Sequence, residues 1–215
     1  MTLTEAQDII EAGAPGPYYA ESYRGFEVAY LPAVCELIAE QSPGRVLEVG
    51  PGWGTTMLWM AAQGWQVEVW DMIALGVWIT PELLARSGAT FRRRDVFEGP
   101  LECGAYDLIV MTQVIAHLKF RADAAVGICK AMLKPGGQLI VTALDPECAQ
   151  CASAYGADWQ AVPAYGEAPP CPDMVVCLYT QETLEELLRT HFGQVRVWRQ
   201  GCTQVNFGIC VKEGR

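Results

Sequence analysis

A chain of 215 residues that is 51% hydrophobic and 19% charged, with 21 glycines and 13 prolines, has the profile of an ordinary globular protein and excludes disorder and collagen-like repeats. At this length it buries about 70% of the surface its unfolded form would expose, so its core needs neither disulfide nor metal. Twenty-five acidic against fifteen basic residues give a formal net charge of -10, which repels nucleic acid and anionic lipid and predicts neither as a partner. The opening MTLTEAQDII lacks the basic and apolar stretches of an export signal, and no run of about 18 apolar residues is free of a charge or a Gly/Pro break. A cytoplasmic protein is expected, with its nine cysteines reduced.

In chain order, residues 3–12 and 20–41 read as helices, the second carrying Phe26, Tyr30, Leu31, Val34, Leu37 and Ile38 mostly three and four apart, with Pro32 a kink. From Arg45 the rhythm changes to short apolar runs: 46–49, 67–70, 90–91, 108–111 and 138–142. Amphipathic stretches at 55–63, 81–86 and 122–133 separate them, and Lys134-Pro-Gly-Gly137 stops the last. Alternating strands and helices predict a parallel sheet with right-handed crossovers. A helix follows Thr180, with Leu184, Leu187 and Leu188 on one face and Gly193 closing it, and two strands at 195–199 and 205–211 suit an antiparallel pair. Arg92, Arg93 and Arg94 run straight into Asp95 and Glu98, as a solvated strand end does. Residues 144–179, rich in Pro, Ala, Cys and Tyr and without periodicity, read as a substrate-side insertion or lid.

Val46-Leu-Glu-Val-Gly-Pro-Gly-Trp-Gly-Thr-Thr56 is an apolar strand running through three glycines into a helix, the geometry that lets backbone pass close under a nucleoside-bearing ligand. Gly50, Gly52 and Gly54 bring the third glycine one residue too early for the G-x-G-x-x-G dinucleotide fingerprint, and no P-loop motif is present. Glu48 sits at the end of a strand that should be buried, where an unpaired carboxylate is costly, so it must bind something. Asp71 ends the second strand 21 positions after Gly50, near the offset of about 20 for a carboxylate that accepts ribose hydroxyls.

With these residues the chain resembles the class I S-adenosylmethionine-dependent methyltransferases. VLEVGPGWG is similar to their first motif, VEVWD to their second, and Arg94-Asp-Val96 to the adenine-contacting segment after the third strand. Tyr106 to Leu118 resembles the fourth-strand motif, and Leu133 to Val141 the turn into the fifth strand, so the match spans about residues 44–143 in order. The resemblance implies an α/β fold: a three-layer, Rossmann-like sheet of seven mostly parallel strands, the last antiparallel, with helices on both faces. One domain over 1–215 is expected, comprising a helical cap (1–44), a cofactor core (45–143), the insertion (144–179) and a C-terminal helix and strand pair (180–215).

The resemblance also implies roles. Gly50 and Gly52 pass beneath the methionine moiety of S-adenosylmethionine, and Glu48 orders that loop or receives the ligand's ammonium through water. Asp71 grips the ribose and Met72 packs on adenine. Asp95 accepts the adenine amino group and Val96 donates its backbone amide, while Thr112 and Gln113, with Val114, line the cofactor beside the methyl group. Trp53 is bulkier than the small residue often found in that loop, and Met72 to Trp78 departs from the usual polar start of the next helix.

Two histidines are present. His117 follows the fourth strand, where it would remove a proton from a hydroxyl, phenol or amine acceptor, or merely position it. His191, in the last turn of a helix, suits a dipole partner. Tyr18, Tyr19, Tyr23 and Arg24 of the cap either bind the cofactor carboxylate or pack as an amphipathic surface. Cys148, Cys151, Cys171 and Cys177 number enough thiolates for zinc, but five residues separate the second pair, and plain reduced cysteines without metal are the favoured reading. Met111-Thr-Gln-Val114 lacks the Asn/Asp-Pro-Pro-aromatic signature of relatives that methylate base or amide nitrogens, which favours a small-molecule acceptor. A catalytically silent binding subunit and a nicotinamide oxidoreductase are the rival classes; oligomeric state is not legible.

Overall fold

The computed structural model describes residues 1–13, 24–118, 121–145, 178–199 and 205–214. Residues 146–177 of the insertion, with its four cysteines, and Tyr18, Tyr19 and Tyr23 lie outside the described residues. The chain folds as α1 (Leu3–Gly13), α2 (Arg24–Ala39), β1 (Arg45–Val49), α3 (Thr55–Ala62), β2 (Gln66–Asp71), α4 (Pro81–Ser87), β3 (Thr90–Arg93), β4 (Tyr106–Thr112), α5 (Ala122–Met132), β5 (Leu133–Leu144), α6 (Gln181–Arg189), β6 (Gln194–Arg199) and β7 (Val205–Val211). Single 3-10 turns lie at Val96–Glu98 and Ile115–His117.

The seven strands form one sheet in the order β3-β2-β1-β4-β5-β7-β6. β2 runs parallel to β1 and to β3, as expected of strands joined through helices, while β7 lies antiparallel between β5 and β6. The described contacts divide the chain into two units, Met1–Asp95 with Tyr106–Leu108, and Val96–Ala105 with Ile109–Arg215.

In the first unit, β1 reads RVLEV and buries its last four residues. α3 carries TTMLWMAA, apolar nearly all round, and buries every residue from Thr55 to Met60, as such a helix must. α4 opens on a cap in which the Thr80 hydroxyl accepts the Leu83 N–H at 3.2 Å, with Pro81 next in the chain, and it closes on Gly88 at φ 68°. The basic triplet packs inward as well as outward. Arg92 Nε donates to the buried Glu68 carboxylate at 2.6 Å, Arg93 Nε donates to the Met72 carbonyl, and Arg94 stacks over Trp70.

Two boundaries in the second unit differ from the sequence expectation. β5 begins at Leu133, directly after α5, and runs through the Pro-Gly-Gly segment. Gly136 N–H donates to the Lys212 carbonyl and Lys212 N–H to the Gly137 carbonyl, so the segment that stops α5 as expected is itself drawn into the strand by pairing just beyond β7. α6 opens on Thr180 as expected, its hydroxyl accepting the Thr183 N–H, but ends at Arg189 rather than at Gly193. There the chain dips to bury Phe192, and His191 lies beyond the helix with Nε2 2.9 Å from Asp123 of α5, so its role is to tie α5 to α6.

Candidate active site

In the first unit the turn after β1 is built on glycine. Gly50, Gly52 and Gly54 have φ of 65°, 54° and 85°, where an L side chain is strained. Gly50 N–H donates to the Trp70 carbonyl at 2.8 Å, which hooks the loop onto β2. At Gly54 a Cβ would also crowd Met57, Ile79 and Leu83 at 3.0 to 3.3 Å.

Beneath this turn lies Glu48, wholly buried, with neither carboxylate oxygen hydrogen-bonded. Burial first, then the Glu27 and Asp71 charges, push its pKa up to about 8, and the Thr56 side chain offsets only part of this. Glu27, in the first turn of α2, is also buried, and both of its oxygens accept from the Thr55 hydroxyl at 3.0 Å. Sequence reasoning passed over Glu27. The signal was there, since Glu27, Leu31, Val34 and Ile38 follow helical spacing along one face and the last three are core residues.

At the end of β2, Asp71 Oδ1 accepts the Ile73 N–H at 2.8 Å, which fixes the carboxylate at the carboxyl end of that strand. Burial raises its pKa, against the Ile73 and Met72 amides, which lower it. Met72 projects with 55% of its surface exposed, an apolar side chain left uncovered beside an acid. Asp95 follows β3 and is half-buried. Glu48, Gly50, Gly52, Asp71, Met72 and Asp95 therefore gather along the carboxyl ends of three adjacent parallel strands. Arg24, considered for the cofactor carboxylate, instead pairs with Asp8 and Glu11 of α1.

Both departures from the family pattern meet in one place. The Trp53 ring is buried against Ile10 and crosses Trp78 edge-on, with centroids 4.7 Å apart. The bulk in the glycine loop is thus matched by the apolar residue after β2. A cavity of about 280 Å³ remains there, lined by Ile9, Trp53, Trp78, Leu83 and Arg86 among others.

In the second unit, Val96 opens its 3-10 turn and is buried. Thr112 ends β4, and Gln113 follows at φ 59°, the one described non-glycine in the left-handed region. Such strain persists only where the surroundings over-determine it, and it concentrates at functional sites. Thr142 supplies the constraint: its hydroxyl accepts from the Gln113 backbone at 3.0 Å and from its Nε2 at 3.1 Å. The Gln113 Oε1 is buried with no partner. His117 closes the next 3-10 turn, exposed. Among the described residues no cluster of three His, Cys, Asp or Glu side chains has metal-binding geometry, and no helix is long and apolar enough to cross a membrane.

The profile of a family described as methyltransferase domain matches residues 23–193, most of the chain. The chain belongs to that family. The chain has the Rossmann-like fold of the class I methyltransferases. Over 107 residues it is 33% identical to the ribosomal RNA small subunit methyltransferase C of Alcanivorax borkumensis, a match covering 47% of this chain and 32% of that protein. The chain thus matches about a third of the curated relative's length. Among solved structures, Burkholderia thailandensis 1,6-didemethyltoxoflavin-N1-methyltransferase, with 1,6-didemethyltoxoflavin and S-adenosylhomocysteine bound, is similar at TM-score 0.66 and 18% identity, covering 100% of this chain and 92% of that one. DhpI in complex with SAH is similar at TM-score 0.66 and 19% identity over 99% and 98% of the two chains.

Proposed function

We propose that this methyltransferase transfers the methyl group of S-adenosylmethionine to a small-molecule acceptor, with the cofactor held along the carboxyl ends of β1, β2 and β3. The observation that carries this reading is Glu48, a buried acid whose two oxygens have no hydrogen-bond partner, beneath a turn of three left-handed glycines and one strand from Asp71. A cationic ligand end fits that carboxylate, and backbone without side chains fits close approach. S-adenosylmethionine supplies a methyl group on a sulfonium, whose departure needs no acid, so the protein's work is alignment.

Asp71 accepts the ribose hydroxyls. Its Oδ1 is anchored by Ile73, and a carboxylate has about four acceptor sites, so the anchor and the sugar are compatible. Met72 offers its exposed side chain to the adenine face, and Asp95 and the Val96 amide meet the adenine edge. Thr112 and Gln113 line the methyl side, and His117 takes the acceptor's proton where the acceptor is a hydroxyl or phenol. Three observations support a small acceptor over RNA: the net charge of -10, the engagement of Arg92 with Glu68, Arg93 with the Met72 carbonyl and Arg94 with Trp70, and the absence of an Asn/Asp-Pro-Pro-aromatic signature at the fourth strand.

Calorimetry separates the readings of the cofactor. S-adenosylmethionine and S-adenosylhomocysteine should bind and NAD should not, and Asp71→Ala should weaken binding by about 1.5–3 kcal/mol through loss of a charge-assisted acceptor. Unchanged affinity in that variant removes Asp71 from the site. For the acceptor, a labelled methyl donor should label a component of a small-metabolite extract. Label appearing only in ribosomal RNA would overturn the small-molecule reading.

A further inference from the structure

The first unit keeps an open space that binding of S-adenosylmethionine does not account for. Ile10, Trp53, Trp78 and Leu83 give the cavity of about 280 Å³ an apolar wall, in which the two indoles cross edge-on. Trp78 and Leu83 stay only partly buried there, leaving apolar surface that a ligand would cover. The volume stands at the small end of ligand sites, which suits one ring-bearing molecule. Two charged side chains of α4, Glu82 and Arg86, line the same cavity. They stand four residues apart, the spacing at which a Glu and a following Arg pair across a helix turn. In α6 that spacing does close, with Glu185 and Arg189 2.7 Å apart. In α4 it does not: among the described residues no ion pair or side-chain hydrogen bond engages Glu82 or Arg86. One cation and one anion are thus presented together to an apolar cavity.

We propose that this cavity is a second binding site, for a free amino acid with an aromatic side chain. The ring lies among Trp53, Trp78 and Leu83, where aromatic groups gain from edge-to-face and offset contacts. The Arg86 guanidinium takes the carboxylate, whose two oxygens match its fork, and the Glu82 carboxylate takes the ammonium. Both α4 side chains are exposed, so neither charge has to be stripped of water for the ligand to bind. A zwitterion answers both charges at once, which an aromatic acid or an aromatic amine cannot do. The described lining includes none of Glu48, Gly50, Asp71 or Asp95, so the site is distinct from the one proposed for the cofactor.

The test is calorimetric titration of the full chain with L-phenylalanine, with and without saturating S-adenosylhomocysteine. L-phenylalanine should bind with a dissociation constant of about 1 mM or tighter, as the efficiency of so small a ligand allows. Hydrocinnamate, which lacks the ammonium, and phenethylamine, which lacks the carboxylate, should each bind about three- to tenfold more weakly. Arg86→Gln should erase the advantage of L-phenylalanine over phenethylamine and keep its advantage over hydrocinnamate. Glu82→Gln should do the reverse. Both residues are exposed, so the variants should fold, and their affinity for S-adenosylhomocysteine should match the wild type. No saturable heat with L-phenylalanine up to about 10 mM would overturn the proposal. So would equal affinity in both variants, or binding that S-adenosylhomocysteine abolishes, which would put the amino acid in the cofactor's site. Binding of S-adenosylhomocysteine alone reports separately on the cofactor reading, which stands or falls without this result.

Discussion

Residue by residue, the site's chemistry rests on groups held in states that cost free energy: a wholly buried acid, three left-handed glycines, and a left-handed glutamine. Gly54 is where cost and geometry coincide, since its φ of 85° is strained for any side chain and Met57, Ile79 and Leu83 close the space a Cβ would enter. Gly54→Ala should destabilise the fold by about 1–3 kcal/mol in urea melts and weaken S-adenosylhomocysteine binding, because relief comes only by moving the loop. Full retention of both would show that the loop tolerates the change. His117 belongs to this scale too. If it removes the acceptor's proton, His117→Ala should lose about 100-fold or more in turnover together with the acid limb of the pH profile, with cofactor affinity unchanged. Wild-type turnover from pH 5 to 9 would leave alignment alone to carry transfer.

Elements show how far pattern reaches. β1, β2, α3 and the β6–β7 pair are legible because apolar runs and helical spacing are local signals that burial then enforces. The start of β5 and the end of α6 are not, because Lys212 and Phe192 act on them from far along the chain or from the core. The same holds in the site. Gly50, Gly52 and Asp71 can be read from spacing, whereas the meeting of Glu27 with Thr55 depends on how α2 docks. Trp53 and Trp78 looked like two separate departures and are one contact. Their packing joins the glycine loop to α1 and to the segment after β2, so Trp53→Ala should cost about 3–5 kcal/mol, as large-to-small changes in a core do. If the loop depends on that packing, chemical denaturation and cofactor titration should fall together, whereas a loss confined to stability would make Trp53 a core residue only.

For the whole molecule, one buried acid makes stability depend on pH. Glu48 has an ordinary pKa near 4.5 in the unfolded chain and about 8 in the folded one. Between those values the empty folded protein holds a proton that the unfolded chain releases. The contribution of this group is therefore full below about pH 4.5 and is lost as pH rises through about 8. Glu48→Gln keeps the shape and removes the titration. The variant and the wild type should then melt together near pH 5, while at pH 8.5 the empty variant should be the more stable by roughly 1–3 kcal/mol, or several degrees for a chain this long. Comparing the two proteins at each pH cancels every other titrating group they share. Saturating S-adenosylhomocysteine at pH 8.5 should narrow or reverse the gap, because only the wild type gains a counter-ion for its buried charge. Parallel melting curves from pH 5 to 8.5 would mean that Glu48 ionises alike in the folded and unfolded chain, and the carboxylate beneath the glycine turn would then have to be satisfied in solution before any ligand arrives.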